Sequence, residues 1–230
     1  VTGLKYDLDY KISPNFGLDV PMEQISKGNG GSCVLSAYSS SVINLNNHLT
    51  TSLGITAQYF TLNKNWTVEP RAALKWSFNP KHALALAYGL HSRREKLDYY
   101  FVEQKVNGKT ESNRYLNFSK AHHFGLTYDW NINSYMHLKV EPYYQYLFRI
   151  PVEENSSFSI INHQDFYLDR ILKNRGSGVN YGIDITLEQY MKNGFYYMIT
   201  ASLFKSKYKA GDNIWRNTRL DKNYLLNLLA

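Results

Sequence analysis

Apolar residues fall two apart over long stretches of this chain. Trp66, Val68, Pro70, Ala72, Leu74, Trp76 and Phe78 alternate with Thr67, Glu69, Arg71, Ala73, Lys75 and Ser77. After a turn at Asn79-Pro80-Lys81, Leu84, Leu86, Tyr88 and Leu90 alternate with Ala83, Ala85, Ala87 and Gly89. Successive strand residues point to opposite faces, so this period predicts two long strands across residues 66–94, apolar on one face and polar or small on the other. A helix would need apolar residues three and four apart. An ordinary strand runs about five or six residues, and these run about twice as long. A strand tilted across a bilayer needs roughly nine to eleven residues, with an outward apolar band and aromatic rims. Trp66, Trp76 and Phe78 stand at strand ends, where such rims belong. The hairpin alone is equally compatible with a soluble sandwich or barrel of unusually long strands.

The same pattern recurs along the chain. Leu4, Tyr6, Leu8, Tyr10 and Ile12 alternate with Lys5, Asp7, Asp9 and Lys11. A loop over residues 13–32, rich in Gly and Pro, includes Gly28-Asn29-Gly30-Gly31, and residues 33–45 form a weaker strand with no clear face. Beyond a turn at Asn46-Asn47, Leu49, Thr51, Leu53, Ile55, Ala57 and Tyr59 share a face, and Asn63-Lys64-Asn65 turns into the strand at Trp66. The strand containing Leu90 extends to about Glu103. Phe124, Leu126, Tyr128, Trp130 and Ile132 define the next apolar face, followed by Met136, Leu138, Val140, Pro142, Tyr144, Tyr146, Phe148 and Ile150. Val179, Tyr181, Ile183, Ile185 and Leu187 lead through Lys192-Asn193-Gly194, strong hairpin chemistry, to Phe195, Tyr197, Ile199, Ala201 and Leu203. Tyr224, Leu226 and Leu228 open a last strand. Pro70 and Pro142 cannot donate to a ladder, which predicts strand starts or bulges at both.

These elements predict an all-β fold, an antiparallel meander of about ten long strands. Its connections alternate in length. They are short at 46–47, 79–81, 133–134 and 192–194, and long at 13–32, 104–120, 151–177 and 205–223, with the short 63–65 as an exception. Membrane barrels place short turns on the periplasmic side and long loops outside, whereas a soluble sandwich has no reason to sort loops by side. The expectation is therefore a transmembrane β-barrel in the outer membrane of a Gram-negative cell, with lipid as a partner.

Composition narrows the classes. Hydrophobic residues make up 43% of the 230, yet the mean hydropathy is −0.44. No stretch approaches the roughly eighteen apolar residues of a spanning helix, which excludes a helical membrane protein and leaves a barrel open. The 20 Tyr suit interfaces, having an apolar body and a polar tip. The net charge of +7 is scattered with no phosphate-tracking patch, which argues against nucleic acid. Cys33 stands alone, so no internal disulfide forms. The sequence begins at Val1 without a signal peptide and ends at Leu228-Leu229-Ala230. The expectation is a mature chain or a piece of a longer one.

Candidate chemistry is sparse. Adjacent strand residues face opposite ways, so His122 and His123 cannot share a metal ion without a bulge. Asn174-Arg175-Gly176-Ser177-Gly178 lacks the Lys and helix of a phosphate loop and reads as a turn leading into a strand. Asp7 with Asp9, and Asp184 with Glu188, are same-face carboxylates expected to pair with Lys or Arg across strands on inward faces. No Ser-His-Asp arrangement stands out. No catalytic, metal or cofactor residue is assigned, and no enzyme activity is expected. Arg93, Arg94, Glu95 and Lys96 sit where a strand reaches a long loop. The loop tips Tyr99, Tyr100, Tyr167 and Trp215 are candidates for capturing ligand, against the plainer reading of a solvated loop.

Residues 69–76 (Glu-Pro-Arg-Ala-Ala-Leu-Lys-Trp), 84–93 (Leu-Ala-Leu-Ala-Tyr-Gly-Leu-His-Ser-Arg) and 178–184 (Gly-Val-Asn-Tyr-Gly-Ile-Asp) resemble the mid-barrel of TonB-dependent outer-membrane receptors. The resemblance covers most of residues 34–230 and carries no catalytic signature. It implies a barrel of about twenty-two strands plugged by an N-terminal domain. It also implies import of a scarce nutrient, such as an iron chelate, cobalamin or glycan, driven through that plug by TonB. With no plug and no TonB box recognisable and about half the strands, residues 1–230 are expected, on this resemblance, to form one partial domain of such a large transmembrane β-barrel. The alternatives from other classes are a self-contained outer-membrane pore or adhesin and a soluble carbohydrate-binding β module.

Overall fold

The computed structural model describes residues 2–12, 22–106, 108–165 and 167–230. The strands are β1 (Thr2–Ile12), β2 (Glu23–Asn46), β3 (Leu49–Phe60), β4 (Asn65–Asn79), β5 (His82–Arg93), β6 (Glu103–Val106), β7 (Lys109–Ser112), β8 (Ser119–Asn133), β9 (Met136–Val152), β10 (Lys173–Lys192), β11 (Phe195–Lys209), β12 (Trp215–Asn217) and β13 (Tyr224–Leu229). Eleven of them form one antiparallel sheet in chain order. β12 and β13 both pair with β11, as two parts of an interrupted return strand. β6 and β7 form a separate hairpin within the β5–β8 connection. The meander predicted from period two is the fold observed.

Several boundaries move. Residues 23–32, expected in a loop, belong to the 24-residue β2, while residues 13–21 of that loop lie outside the described residues. β5 stops at Arg93, short of Glu103, because Leu97–Phe101 coils into a 3-10 helix. The β5–β8 connection is therefore longer than expected, while the two after it are shorter, since β9, β10 and β11 run into them.

Register keeps each apolar face continuous across neighbouring strands. Thr51 lies opposite Leu74 and Leu74 opposite Leu86. Leu86 is opposite Leu126 and Phe124 opposite Tyr144. Pro142 is opposite Ile183, Ile183 opposite Leu203, and Leu203 opposite Tyr224. A slip of one residue would turn a whole strand inside out. This face stays open: Ile55 is 50% exposed, Leu86 60% and Leu226 66%. Among the described residues no second layer covers it.

Neither proline sits at a bulge, contrary to expectation. Pro70 pairs in regular register with Ile55, and Pro142 with Ile183. Each marks a gap on its other side. The β4–β5 ladder begins only at Arg71 with Gly89, and the β8–β9 ladder skips from Gly125–Tyr143 to Tyr128–Val140 without shifting register. The missing N–H removes a rung and leaves the strand alignment intact.

The short turns at 47–48, 80–81, 134–135 and 193–194 share one end of the sheet, and the long connections share the other. The hydrophobic core lies at the long-loop end. Phe60 (0% exposed), Tyr100 (1%), Val102, Leu116, Phe118, Ile150, Leu168 and Leu172 pack into a cap made of loops. β1 pairs only with the stretch of β2 from residue 23 to 34, above the end of β3 at Phe60, so this hairpin rises beside the cap. There the polarity inverts. Leu4, Tyr6 and Leu8 pack inward on the cap, Tyr6 lying 4.7 Å from Phe101 between ring centroids, while Lys5, Asp7, Asp9 and Lys11 face solvent. Gly28 makes room for this packing, since a Cβ there would come within 2.4 Å of the Phe101 ring.

Asparagines tie the loops together. The Asn113 side chain donates to Arg170 O (2.8 Å) and accepts from Leu172 N (2.7 Å). Asn174 accepts from Asn117 N (2.8 Å) and donates to Asn117 O and Arg149 O. Asn63 donates to Leu116 O.

Two measurements follow from this division of labour. Tyr100→Ala or Phe60→Ala removes a filled core position and should cost the cap about 3–5 kcal/mol, read as lost amide-exchange protection over residues 97–118 and 150–172. Leu86→Ala, on the open face, should leave that protection unchanged. Equal losses from both would contradict a core confined to the loop end.

Candidate ligand passage along the inner wall

The face opposite the apolar band is polar. Arg71 on β4 pairs with the buried Glu69 (3.0 Å), which also accepts from Gln58 Nε2 at 2.9 Å and from Ser92 Oγ. Lower down, Lys139 pairs with Glu141 (2.8 Å) and His137 with Asp129 (3.1 Å). Asn180 donates to Gln145 and accepts from Ser206. Alternation puts these groups on one wall, and register lines them up across strands.

Three cavities lie along this wall. One of about 440 Å³ near the short turns is lined by Lys75, Ser77, Asn79, Asp129, Asn131 and His137. A second of about 520 Å³ is lined by Ser40, Arg71, Ala73, Tyr143 and Gln145, with His91 and His123 at its margin. The third and largest, about 960 Å³, lies at the cap and shares those two histidines. Its lining joins Arg93, Arg94, Lys96, Lys120 and His163 to Tyr99, Leu147, Ile150 and Ile161. Its one acid, Glu95, is buried, accepts from Ser119 Oγ and lies 3.6 Å from Arg93. The chamber beneath the cap is therefore basic and apolar at once, and it leads down to the polar wall.

Some predicted positions land elsewhere. His122 and His123 do face opposite ways. His122 accepts or donates at 3.0 Å with the Tyr88 hydroxyl and stacks on Phe148 on the outer face, while His123 meets His91 on the inner wall at 4.5 Å between ring centroids. The pairing of His91 with His123 had no signal in sequence, as it joins two strands across a long loop. Among the described residues no three His, Cys, Asp or Glu side chains gather as a metal site. Residues 174–178 are strand, not a turn, with bulges at Gly176. Tyr99 and Tyr100 are not loop tips. They are buried cap residues, and burial pushes both phenols up to about 12. Tyr167 and Trp215 are exposed.

The carboxylate pairs also need correcting. Asp7 and Asp9 face outward, because the β1–β2 hairpin stands above the apolar band. Asp9 is held by Gln24 (2.8 Å) and Lys11 (3.8 Å). Asp184 lies opposite Glu141, not a cation. Among the described residues neither Asp184 nor Glu188 has an ion-pair partner.

No protein-family model matches the sequence, and no curated protein matches it. Solved structures do match the fold. The ferric-catecholate import receptor Fiu from E. coli K12 superposes with a TM-score of 0.65 at 10% identity, over 91% of this chain and 33% of that one. The siderophore receptor PirA from Pseudomonas aeruginosa gives 0.62 at 9%, over 81% and 38%. A variant of the ferric enterobactin receptor PfeA from the same organism gives 0.59 at 11%, over 80% and 31%. This chain thus spans about a third of the length of those receptors. The likeness fixes the fold: the sheet is built like a section of the wall of the large β-barrel in those structures.

Two ion-pair clasps hold the rim. A hydrogen bond from Lys173, reinforced by Arg175, keeps the Glu154 carboxyl below its usual range, and Arg216 does the same for Asp212. A depressed carboxyl contributes stability above its unfolded pKa of about 4 and loses it as pH falls through the lower folded value. Protease nicking within 153–172 and 210–223 should therefore stay flat from neutral pH to about 5 and rise only below about 4. A rise centred near pH 6 would contradict these clasps.

Proposed function

We propose that this chain is a section of an outer-membrane importer that admits a ferric chelate, with residues 1–230 forming barrel wall and outer cap. The observation that carries the reading is the open, continuous apolar band on the outer face. A water-facing sheet would not leave Leu86, Ile55 and Leu226 exposed in one strip. A bilayer stabilises such a strip, and a polar inner wall gives cargo a wet path. The iron-chelate class is carried over from the matching receptors, which are receptors for ferric-catecholate import, for ferric enterobactin and for a siderophore. The basic chamber under the cap supports it, since such chelates are anionic and aromatic-rich where the ligand is a catecholate. In this reading a plug segment would occupy the space against the inner wall and receive the pull of TonB.

Cysteine labelling of the full-length protein in cells tests the placement, in a Cys33→Ser background. Ser156→Cys should react with a membrane-impermeant maleimide on intact cells, Asn193→Cys only after permeabilisation, and Leu86→Cys in neither case. Ready labelling of Leu86→Cys would overturn the membrane reading. Cargo is tested by growth on a ferric catecholate as sole iron source, which should require the gene. Growth unaffected by its deletion, in cells lacking other catecholate importers, would overturn the iron assignment.

A further inference from the structure

The outer face changes character toward the cap at β11. Ile199, Ala201 and Leu203 continue into Lys205, Lys207 and Lys209 on the same face, since side chains two apart share a side. Pairing fixes the direction. Lys205 lies opposite Tyr181, Lys207 opposite Val179 and Lys209 opposite Ser177. All three partners belong to the outward row that includes Tyr144, Tyr146 and Phe148 on β9. From the next strand, Trp215 stands opposite Lys209 and Asn217 opposite Lys207, and the Lys209 ammonium lies 5.9 Å from the centre of the Trp215 ring. The lysines of β11 thus stand level with Tyr181 on β10 and with Tyr144, Tyr146 and Phe148 on β9, and the aliphatics Ile183 and Leu203 follow below them.

The three lysines are not equivalent. Lys205 is engaged, by Asn223 Oδ1 and by the buried Asp221 carboxylate at 3.9 Å. Among the described residues, Lys207 and Lys209 have no carboxylate within ion-pair distance. Both are partly exposed. Two lysines without a carboxylate partner, their backbone positions about 7 Å apart along one strand, can converge on a single phosphate. Indole and phenol rings beside them suit the headgroup boundary.

We propose that Lys207 and Lys209, with Trp215 as a stacking wall, form a site for the phosphate headgroup of an outer-leaflet lipid. The proposal rests on the outer face meeting lipid, which the labelling of Leu86→Cys tests separately. Cations attract an anionic headgroup wherever they stand, but here two of them sit at the height where the apolar strip ends. A lone lysine snorkelling to the interface would gain nothing from a second one two residues along the same strand with no acid between.

The test uses the detergent-purified full-length protein, with bisphosphorylated lipid A as probe and native mass spectrometry as readout. Lys207→Gln/Lys209→Gln should weaken binding about thirtyfold, or about 2 kcal/mol. Lys64→Gln/Lys222→Gln, with the same charge change at exposed loop positions, should leave it unchanged, and so should excess inorganic phosphate. Heat-modifiable gel mobility confirms that each variant is folded. Equal binding by the Lys207/Lys209 variant would overturn the site. So would equal loss in the control pair, which would show a bulk charge effect. Displacement by inorganic phosphate would overturn the lipid assignment in favour of a free anion.

Discussion

Neighbouring strands here must agree on which face is which. Alternation along one strand defines two faces, but only register decides whether the next strand continues them. From β3 to β11, and from β11 to β13, the pairings set apolar against apolar, as at Leu74–Leu86, Leu86–Leu126 and Ile183–Leu203. Because the side-chain period is two, an error of one residue at any pairing would bury lysines in the strip and turn leucines toward the polar wall. The hairpin turns hold that agreement at the short-turn end, where Asn193 and Gly194 both adopt positive φ, the geometry a two-residue hairpin favours. The prolines respect it as well, deleting hydrogen bonds on one side without moving the alignment.

The sheet does not carry its own core. Its hydrophobic packing is concentrated in the loop cap, where Phe60 and Tyr100 are fully enclosed. Stability is thus split by environment. On the membrane reading proposed above, lipid contact on one side of the wall and ion pairs on the other do the holding. Above the wall, where water surrounds the chain, ordinary burial takes over. The inversion of β1 is the visible seam. Its apolar side turns inward onto Phe101 and its charged side outward, the reverse of the strands below. The chamber between cap and wall inherits both characters, basic side chains set among Leu147, Ile150 and Ile161. A passage lined this way can hold an anionic, partly apolar cargo without a metal or a covalent step.

Much of the fold was readable from residue spacing. β3, β4, β5, β8, β9, β10 and β11 all follow runs of period two, and the sorting of loop lengths by end matched the observed ends. What the spacing hid has physical causes. Amphipathicity shows that a strand has two faces but not which medium each meets, so β1 was misassigned in direction together with Asp7 and Asp9. Residues 23–32 have too many glycines to read as strand, yet those glycines admit Tyr6 and Phe101. Tyr99 and Tyr100 read as loop tips because a polar loop can fold back over its own aromatics, and nothing local marks the return. Asn113 and Asn174 clasp distant loops by contacts that only the tertiary fold brings together. The site was the least readable part, since His91, His123 and Lys120 meet across connections of many residues.

The account turns on what touches the strip of exposed leucine, isoleucine and tyrosine. Spin labels placed singly at each position from Ala83 to Gly89, in full-length protein reconstituted into bilayers, would measure this strand by strand. Collision with oxygen, which concentrates in hydrocarbon, should peak at 84, 86 and 88, while collision with a water-soluble nickel complex should peak at 83, 85, 87 and 89. A profile without that two-residue period, or with nickel dominant at all seven positions, would contradict a lipid-facing wall.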